Sequence, residues 1–362
     1  MTIPQVAHGL EPYLKSRGCR IFSYGNASHG FKDILLHLKK AGCARIPNVV
    51  MPSYIPAKLY RTALAAGYEA RFYDVGQECR FDPQQVEDLI DEQTTSIFVV
   101  HYFGFPADLK SLGEICARHH IALVEDCAHV LLAAIDGRAL GTIGDFSIFS
   151  ARKMLQLSDG GVLAINNAAR SFTPTYNGRV RSSYTGSRFL LSRAKRMYLR
   201  MMRGRDFLHV ARAPEIGWID PKRAAAIRVR RMSFFTSMIE RTSDIHHISR
   251  TRRVNYFQLS EVLRDFGFLR PVYPRLPDTW TPYSLPMMVD HGKRLHLQAQ
   301  LLKYGISCGL GWPESPFCNH SPGAKELSNS LIEFPVHPLV LETQIERMVD
   351  ACKAFQRKNG TS

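Results

Sequence analysis

The sequence predicts an α/β fold, with a mostly parallel central sheet covered by helices on both faces and a smaller α+β domain at the C-terminal end. Three observations carry this prediction. Strand-like and helix-like segments alternate with short connections through the first half of the chain, which is the pattern of a parallel sheet. Several strand segments, such as "TSIFVV" and "IALVEDCA", read as buried apolar runs. After Gly161 the alternation gives way to long helical runs and short strands. The large domain is expected over residues 1–235 and the smaller one over 236–362.

Taken in order, "ARIPNVVMPSY" reads as a strand ending at Pro52, and "PAKLYRTALAAG" as a helix stopped by Gly67. "EARFYDV" is the next strand, followed by "DPQQVEDLIDEQ", a helix opened by Asp82 as its cap. "TSIFVVHYFG", "DLKSLGEICARHH" and "IALVEDCA" continue as strand, helix and strand, and "FSIFS" and "GVLAINN" are short strands. A long helical run, "MSFFTSMIERTSDIHHISRTRRVNYFQLSEVLRDF", leads into the C-terminal part. There "YSLPMMV" and "NSLIEFPV" read as strands, and "HGKRLHLQAQLLKYG" and "ETQIERMVDACKAFQRK" as helices. In a sheet of this kind ligands gather beyond the carboxyl ends of the strands. The residues there are Pro52-Ser53-Tyr54, His101-Tyr102 and Glu125-Asp126.

Composition narrows the function classes. The 362 residues are 45% hydrophobic and 22% charged, a globular composition with length for two domains. No apolar run reaches membrane-spanning length and no secretory layout opens the sequence, so a cytoplasmic location is the default expectation. The eight cysteines form no Cys-x-x-Cys pair, which argues against a disulfide framework and against a metal site. The net charge is +15, and residues 179–231 hold fifteen Lys/Arg against three acids. That block suits an anionic substrate, while a solvated basic face explains it equally well. No nucleic-acid module accompanies it. Its amphipathic stretch "SRFLLSRAKRMYLRMMRGRDFLHV" leaves membrane-surface contact as a lesser alternative.

Three segments carry candidate chemistry. Asp126 ends a buried apolar strand, where a carboxylate needs a partner; a structural role and a functional one are equally open. Lys153 lies behind the strand "FSIFS", ahead of the doublet Gly160-Gly161. A partly desolvated lysine amine there is a nucleophile or Schiff-base former. In "SYGNASHGFKDILLHLKKAG", small and polar residues lead into a helix whose N-terminus suits an anion, with Ser28 and His29 as added donors; ordinary helix capping explains the same pattern. Ser150 is a second anion-binding candidate. A lysine, an acid and phosphate donors are the three elements that pyridoxal phosphate (PLP) requires of a protein.

Together these segments resemble the DegT/DnrJ/StrS-type aminotransferases, PLP enzymes of fold type I that mostly act on nucleotide-carried keto sugars. "IFVVHYFGFPADLKSLGEICARHHIALVEDCAHVLLAAIDGRALGTIGDFSIFS" is the most diagnostic stretch, "MPSYIPAKLYRTALAAGYEARFYDV" and "RKMLQLSDGGVLAINN" support it, and "GISCGLGWPES" resembles the C-terminal domain. The resemblance implies that Lys153 forms the Schiff base with the cofactor and that Asp126 pairs with the pyridine nitrogen. It further implies that His129 contacts the ring or its 3-hydroxyl, and that Ser150 and the turn Ser28-His29-Gly30 hold the phosphate. An ordinary buried histidine remains the alternative for His129.

The chain also departs from the family. Its lysine turn is the shortened Ser150-Ala151-Arg152-Lys153, with Arg152 in reach of replacing a phosphate contact. Pro56 stands where the ring-stacking aromatic is expected, and Tyr54 is the nearest substitute. The segment through which a neighbouring subunit reaches the phosphate is not evident. What the resemblance implies is a divergent, homodimeric aminotransferase moving an amino group from glutamate to a nucleotide-linked keto sugar. The alternatives are a PLP-dependent keto-sugar dehydratase, which carries histidine where Lys153 stands, an aminotransferase of a non-sugar ketone, and a non-catalytic PLP-binding regulator.

Overall fold

The structure, a computed structural model, describes residues 8–42, 46–167, 171–176, 228–312 and 321–359. Most of the basic 179–231 segment therefore lies outside the described residues. The chain opens with α1 (Leu10–Ser16), β1 (Arg20–Tyr24) and α2 (Ala27–Ala41). It continues through β2 (Asn48–Pro52), α3 (Ala57–Ala65), β3 (Glu69–Tyr73), α4 (Pro83–Asp88) and β4 (Thr94–Val100). Next come α5 (Leu109–His119), β5 (Ala122–Cys127) and a hairpin of β6 (Ala134–Ile135) and β7 (Arg138–Ala139). β8 (Phe146–Phe149), the single turn α6 (Ala151–Met154) and β9 (Gly161–Ile165) follow.

These strands form a seven-stranded sheet in the order β1-β9-β8-β5-β4-β2-β3. The run from β3 to β8 is parallel, while β9 lies antiparallel to both β8 and β1. The antiparallel edge follows from connection length, since only the short α6 turn separates β8 from β9 and no crossover helix fits there. β2, β5, β8 and β9 are buried along their whole length, as apolar strands between two helical layers must be. α2 packs Phe31, Ile34 and Leu35 onto the sheet, with the Phe31 ring 4.5 Å from Phe98. Each such side chain contributes roughly 1.5–3 kcal/mol of burial.

The C-terminal part adds α7 (Phe234–Thr242), α8 (Ile245–Leu263), β10 (Leu269–Pro271), β11 (Ser284–Val289) and α9 (Arg294–Lys303). It ends with α10 (Pro322–Ser330), β12 (Leu331–Pro335) and α11 (Glu342–Asn359). β10, β11 and β12 make an antiparallel sheet of three strands.

Two helical expectations are corrected. The long run after Met232 is two helices, because Asp244 turns out of α7 and its carboxylate accepts the His247 N–H at 2.8 Å to start α8. The helix expected over "DPQQVEDLIDEQ" stops at Asp88, where Asp91 instead caps a turn with Thr94 and Gln93. Strand β1 and helix α1 were not anticipated. β1 earns its place by pairing with β9 along five residues, closing the edge left after the lysine turn.

Candidate active site

The carboxyl ends of β2, β4, β5 and β8 meet on one side of the sheet, and the chemistry-bearing residues converge there. Alternation along β5 separates its two acids. Glu125 is fully buried and accepts N–H groups from Gly141, Ile143 and Gly144 at 2.9, 2.9 and 2.6 Å. It also pairs with His101 Nε2 at 2.9 Å. Burial pushes the Glu125 carboxyl up, but those donors outweigh it and hold the group below its ordinary value. This acid is committed to fastening the 141–144 loop.

Asp126 faces the other way. Its Oδ1 accepts the Ala128 N–H at 2.9 Å, while among the described residues nothing hydrogen-bonds Oδ2. The residue is 6% exposed. Burial raises its carboxyl above the ordinary value against the pull of the Lys153 charge. A buried carboxylate with one oxygen unserved suits a ligand that brings its own N–H.

Lys153 closes the short α6 turn, with its N–H bonded to the Ser150 carbonyl at 2.9 Å. Its Nζ stands 2.9 Å from His129 Nε2. The Phe103 N–H donates to His129 Nδ1 at 3.3 Å. Burial, then the Lys153 and Arg252 charges, push the imidazole well below its ordinary value, so the ring is neutral. With Nδ1 accepting, that ring carries its proton on Nε2 and presents it to Lys153. This favours the unprotonated amine, and burial of Lys153 works in the same direction, with the Asp126 charge opposing it. The arrangement makes the lysine amine easier to deprotonate, and so a better nucleophile, than an exposed one.

The His129 ring is itself clamped. It stacks on Tyr283 with centroids 4.1 Å apart and planes 3° from parallel. Arg252, fully buried on α8, donates to the Tyr283 carbonyl at 2.7 Å and to the Met154 carbonyl at 3.2 Å. One guanidinium thus ties the C-terminal part to the residue after Lys153. Tyr54 is fully buried, lies edge-on to Trp312 at 5.1 Å and accepts the Trp312 N–H at 3.3 Å. Trp312 also lies parallel to His129, at 5.7 Å. Among the described residues, the ring contacts of Tyr54 are to Tyr102 and Trp312, not to His129.

The other end of the site is the start of α2. Asn26 caps the helix, its Oδ1 receives Ser28 Oγ–H and Lys58 Nζ (3.1 Å), and its Nδ2 contacts His29 Nε2 at 3.0 Å. Burial, aided by Lys58, holds His29 down to about 4. Lys58 is lowered by burial and by the nearby charges of Arg152 and Lys153. Cations crowded at a helix N-terminus with no acid among these contacts suit a phosphate. Ser28 and Gly30 are buried in the first turns of α2, and Ser150 caps α6 beside Lys153. The two ends touch through the lysine turn, where the Gly160 N–H donates to the Gly25 carbonyl at 2.9 Å. A Cβ on Gly161 would fall 2.2 Å from the Asn26 carbonyl carbon. Asp159 fastens the same turn to α7 by accepting the Ser233 N–H and Oγ–H at 3.0 and 2.9 Å.

The donor set therefore fits PLP, with a free carboxylate oxygen for the ring nitrogen, a lysine amine whose pKa burial lowers for the aldehyde, and cations with helix N–H groups for the phosphate. Sequence reasoning located Asp126, His129 and Lys153 but missed Lys58, Tyr283 and Arg252. Lys58 opens α3 just beyond the motif "MPSYIP" and was within reach of that motif. The others come from the C-terminal part, where no local pattern points toward the sheet.

Comparison with known proteins finds likenesses to aminotransferases. The model of the DegT/DnrJ/EryC1/StrS aminotransferase family matches residues 13–173. A GDP-perosamine synthase of Vibrio cholerae is 27% identical over 143 residues, 39% of each chain. An L-glutamine:scyllo-inosose aminotransferase of Streptomyces griseus is 32% identical over 168 residues, 45% of this chain and 38% of the relative. These alignments span well under half of either relative's length. A putative sugar aminotransferase of Streptococcus pneumoniae, solved in its PLP form, superposes with a TM-score of 0.71 at 15% identity, covering 99% of this chain and 93% of that one. The shared fold is that of fold-type-I PLP enzymes, and residues 13–173 of the chain are similar to the DegT/DnrJ/EryC1/StrS aminotransferase family, whose cofactor is PLP.

Proposed function

We propose that this chain transfers an amino group from glutamate to a keto sugar carried on a nucleotide, acting as a homodimer with PLP. The observation that carries the reading is the pairing of Asp126, with Oδ2 unserved, and Lys153, with its amine facing the His129 Nε2–H, at the carboxyl ends of adjacent strands. The GDP-perosamine synthase name supports a nucleotide-linked sugar. The scyllo-inosose aminotransferase name supports a free polyhydroxy ketone and glutamine as donor, and both pairs belong in the assay.

When bound, PLP supplies an aldehyde and an electron sink for the carbon that gains or loses the amine. Asp126 would hold the ring-nitrogen proton through Oδ2. His129, fixed by Phe103 and Tyr283, would orient the ring from the side of Lys153. Lys153 Nζ would carry a proton between the reacting carbon and the cofactor as general acid and base. Lys58, Arg152 and the start of α2 would hold the phosphate. Retention of Lys153 disfavours the dehydratase alternative, and retention of Asp126 with it disfavours a non-catalytic regulator.

An absorbance spectrum of the PLP-loaded protein tests this reading. A near-visible band is expected that moves when L-glutamate or L-glutamine is added and is missing in Lys153→Ala. A protein that binds no PLP, or a Lys153→Ala variant with full amino transfer, defeats it.

A further inference from the structure

Glu333 is the one acid in the three-stranded sheet, and the segment Gly311-Trp312 links it to the site, since Gly311 bonds its carboxylate while the Trp312 ring lies parallel to His129 at 5.7 Å. Glu333 sits on β12, and the Ser284 Oγ–H donates to its Oε2 at 2.9 Å and the Gly311 N–H to its Oε1 at 3.1 Å. Among the described residues its carboxylate has no other hydrogen-bond donor and no ion-pair partner. Burial raises the carboxyl above its ordinary value, with Ser284, the Lys153 charge and Gly311 pulling the other way. Its charge in turn reaches Lys153, Tyr54 and Tyr283. Glu333 therefore stands among the residues of the site, on the opposite element from Asp126.

A carboxylate offers about four lone-pair sites, and two neutral donors leave about half of them unserved. Keeping a charge so placed costs free energy unless further donors arrive. Packing alone does not account for the group. Ser284 already has a place in the β11–β12 ladder, and the Gly309–Glu333 backbone bridge already fixes the 309–312 segment without the side chain. Trp312, the residue after Gly311, adds a partly exposed aromatic ring beside it, and an acid next to an aromatic ring is the chemistry that holds the hydroxyls and C–H faces of a polyol.

We infer that Glu333 is a substrate-binding residue that accepts hydrogen bonds from hydroxyl groups of the ketone that receives the amine. The inference rests on the amino-transfer reading and sharpens its substrate class, since the acceptor must carry hydroxyls near the carbonyl. Ser284 and Gly311 aim the carboxylate, and the Trp312 ring limits how the acceptor sits.

The experiment separates the two half-reactions in PLP-loaded wild type, Glu333→Gln and Glu333→Asp. The first is followed spectroscopically with L-glutamate and with L-glutamine. The second starts from the aminated cofactor form, with scyllo-inosose and a GDP-linked keto sugar as hydroxylated probes and pyruvate as a hydroxyl-free one. Glu333→Gln is expected to lose about 10- to 100-fold in kcat/KM with a hydroxylated probe, at least tenfold more than it loses with the donors or with pyruvate. Glu333→Asp keeps the charge and should recover part of that loss. Equal losses on all substrates, or a loss confined to the donor step, overturn the inference and leave amino transfer standing. The same holds if wild type completes the donor step but reacts with neither hydroxylated probe. A wild type that completes no donor step defeats the amino-transfer reading first, and the inference with it. The cofactor spectrum and thermal melt of each variant show that it has folded.

Discussion

The two ends of the site are built on opposite plans. At the ring end, Asp126 and His129 are nearly sealed, and hydrogen bonds, stacking and one buried guanidinium fix each group. At the phosphate end, Lys58 and Arg152 reach solvent, and their charges accumulate around a helix start. Sealed groups can have their protonation set by the fold, because a low-dielectric setting magnifies every neighbour. Open cations contribute a screened attraction that depends little on exact placement. On the proposed function, the ring end would tune the chemistry and the phosphate end would hold the cofactor.

The largest effect should come from Lys153→Ala, which removes the proton carrier and is expected to cut amino transfer roughly 1000-fold, measured as steady-state turnover. Asp126→Asn should cost about 10- to 100-fold and should also move a pH profile. The Asp126 carboxylate favours the charged Lys153 ammonium, so its removal lowers the lysine pKa further below 10.5. The rate at which apo-protein captures PLP would then reach its plateau at a lower pH than in wild type; a profile that moves upward breaks the electrostatic account. His129→Phe keeps an aromatic ring against Tyr283 but removes both nitrogens. A loss of about tenfold in the donor half-reaction is expected, while a variant indistinguishable from wild type reduces His129 to packing. Lys58→Ala and Arg152→Ala should have the smallest effect, roughly a three- to tenfold weaker PLP affinity by spectral titration. That difference should shrink in high salt. Salt-independent losses would show that the phosphate end is as sealed as the ring end.

The same contrast explains how much could be read from the sequence. Asp126 stood out because it ends an apolar strand, and Lys153 because it precedes a glycine doublet, and both signals are local. The parallel core was legible for the same reason, since each buried strand announces itself. Tyr283, Arg252 and Glu333 act across the gap between the two parts of the chain. Their own neighbourhoods, such as "RTRRVNY" and "SLIEFP", look like an ordinary amphipathic helix and an edge strand. The break at Asp244 was missed because a single capping aspartate interrupts an otherwise continuous helical period. Tyr54 is the expected ring-stacking residue, and among the described residues the structure packs it against Tyr102 and Trp312.

Gly161 gives the shortened lead-in Ser150-Ala151-Arg152 a different meaning. Because it bears no side chain, the lysine turn and the start of α2 press backbone to backbone, and nothing compressible lies between them. That contact works as a gauge block, setting the spacing between amine and helix start from the downstream side of the lysine. A lead-in measured from the upstream side is then free to lose a residue or exchange one, as this chain has done, without the amine drifting out of reach.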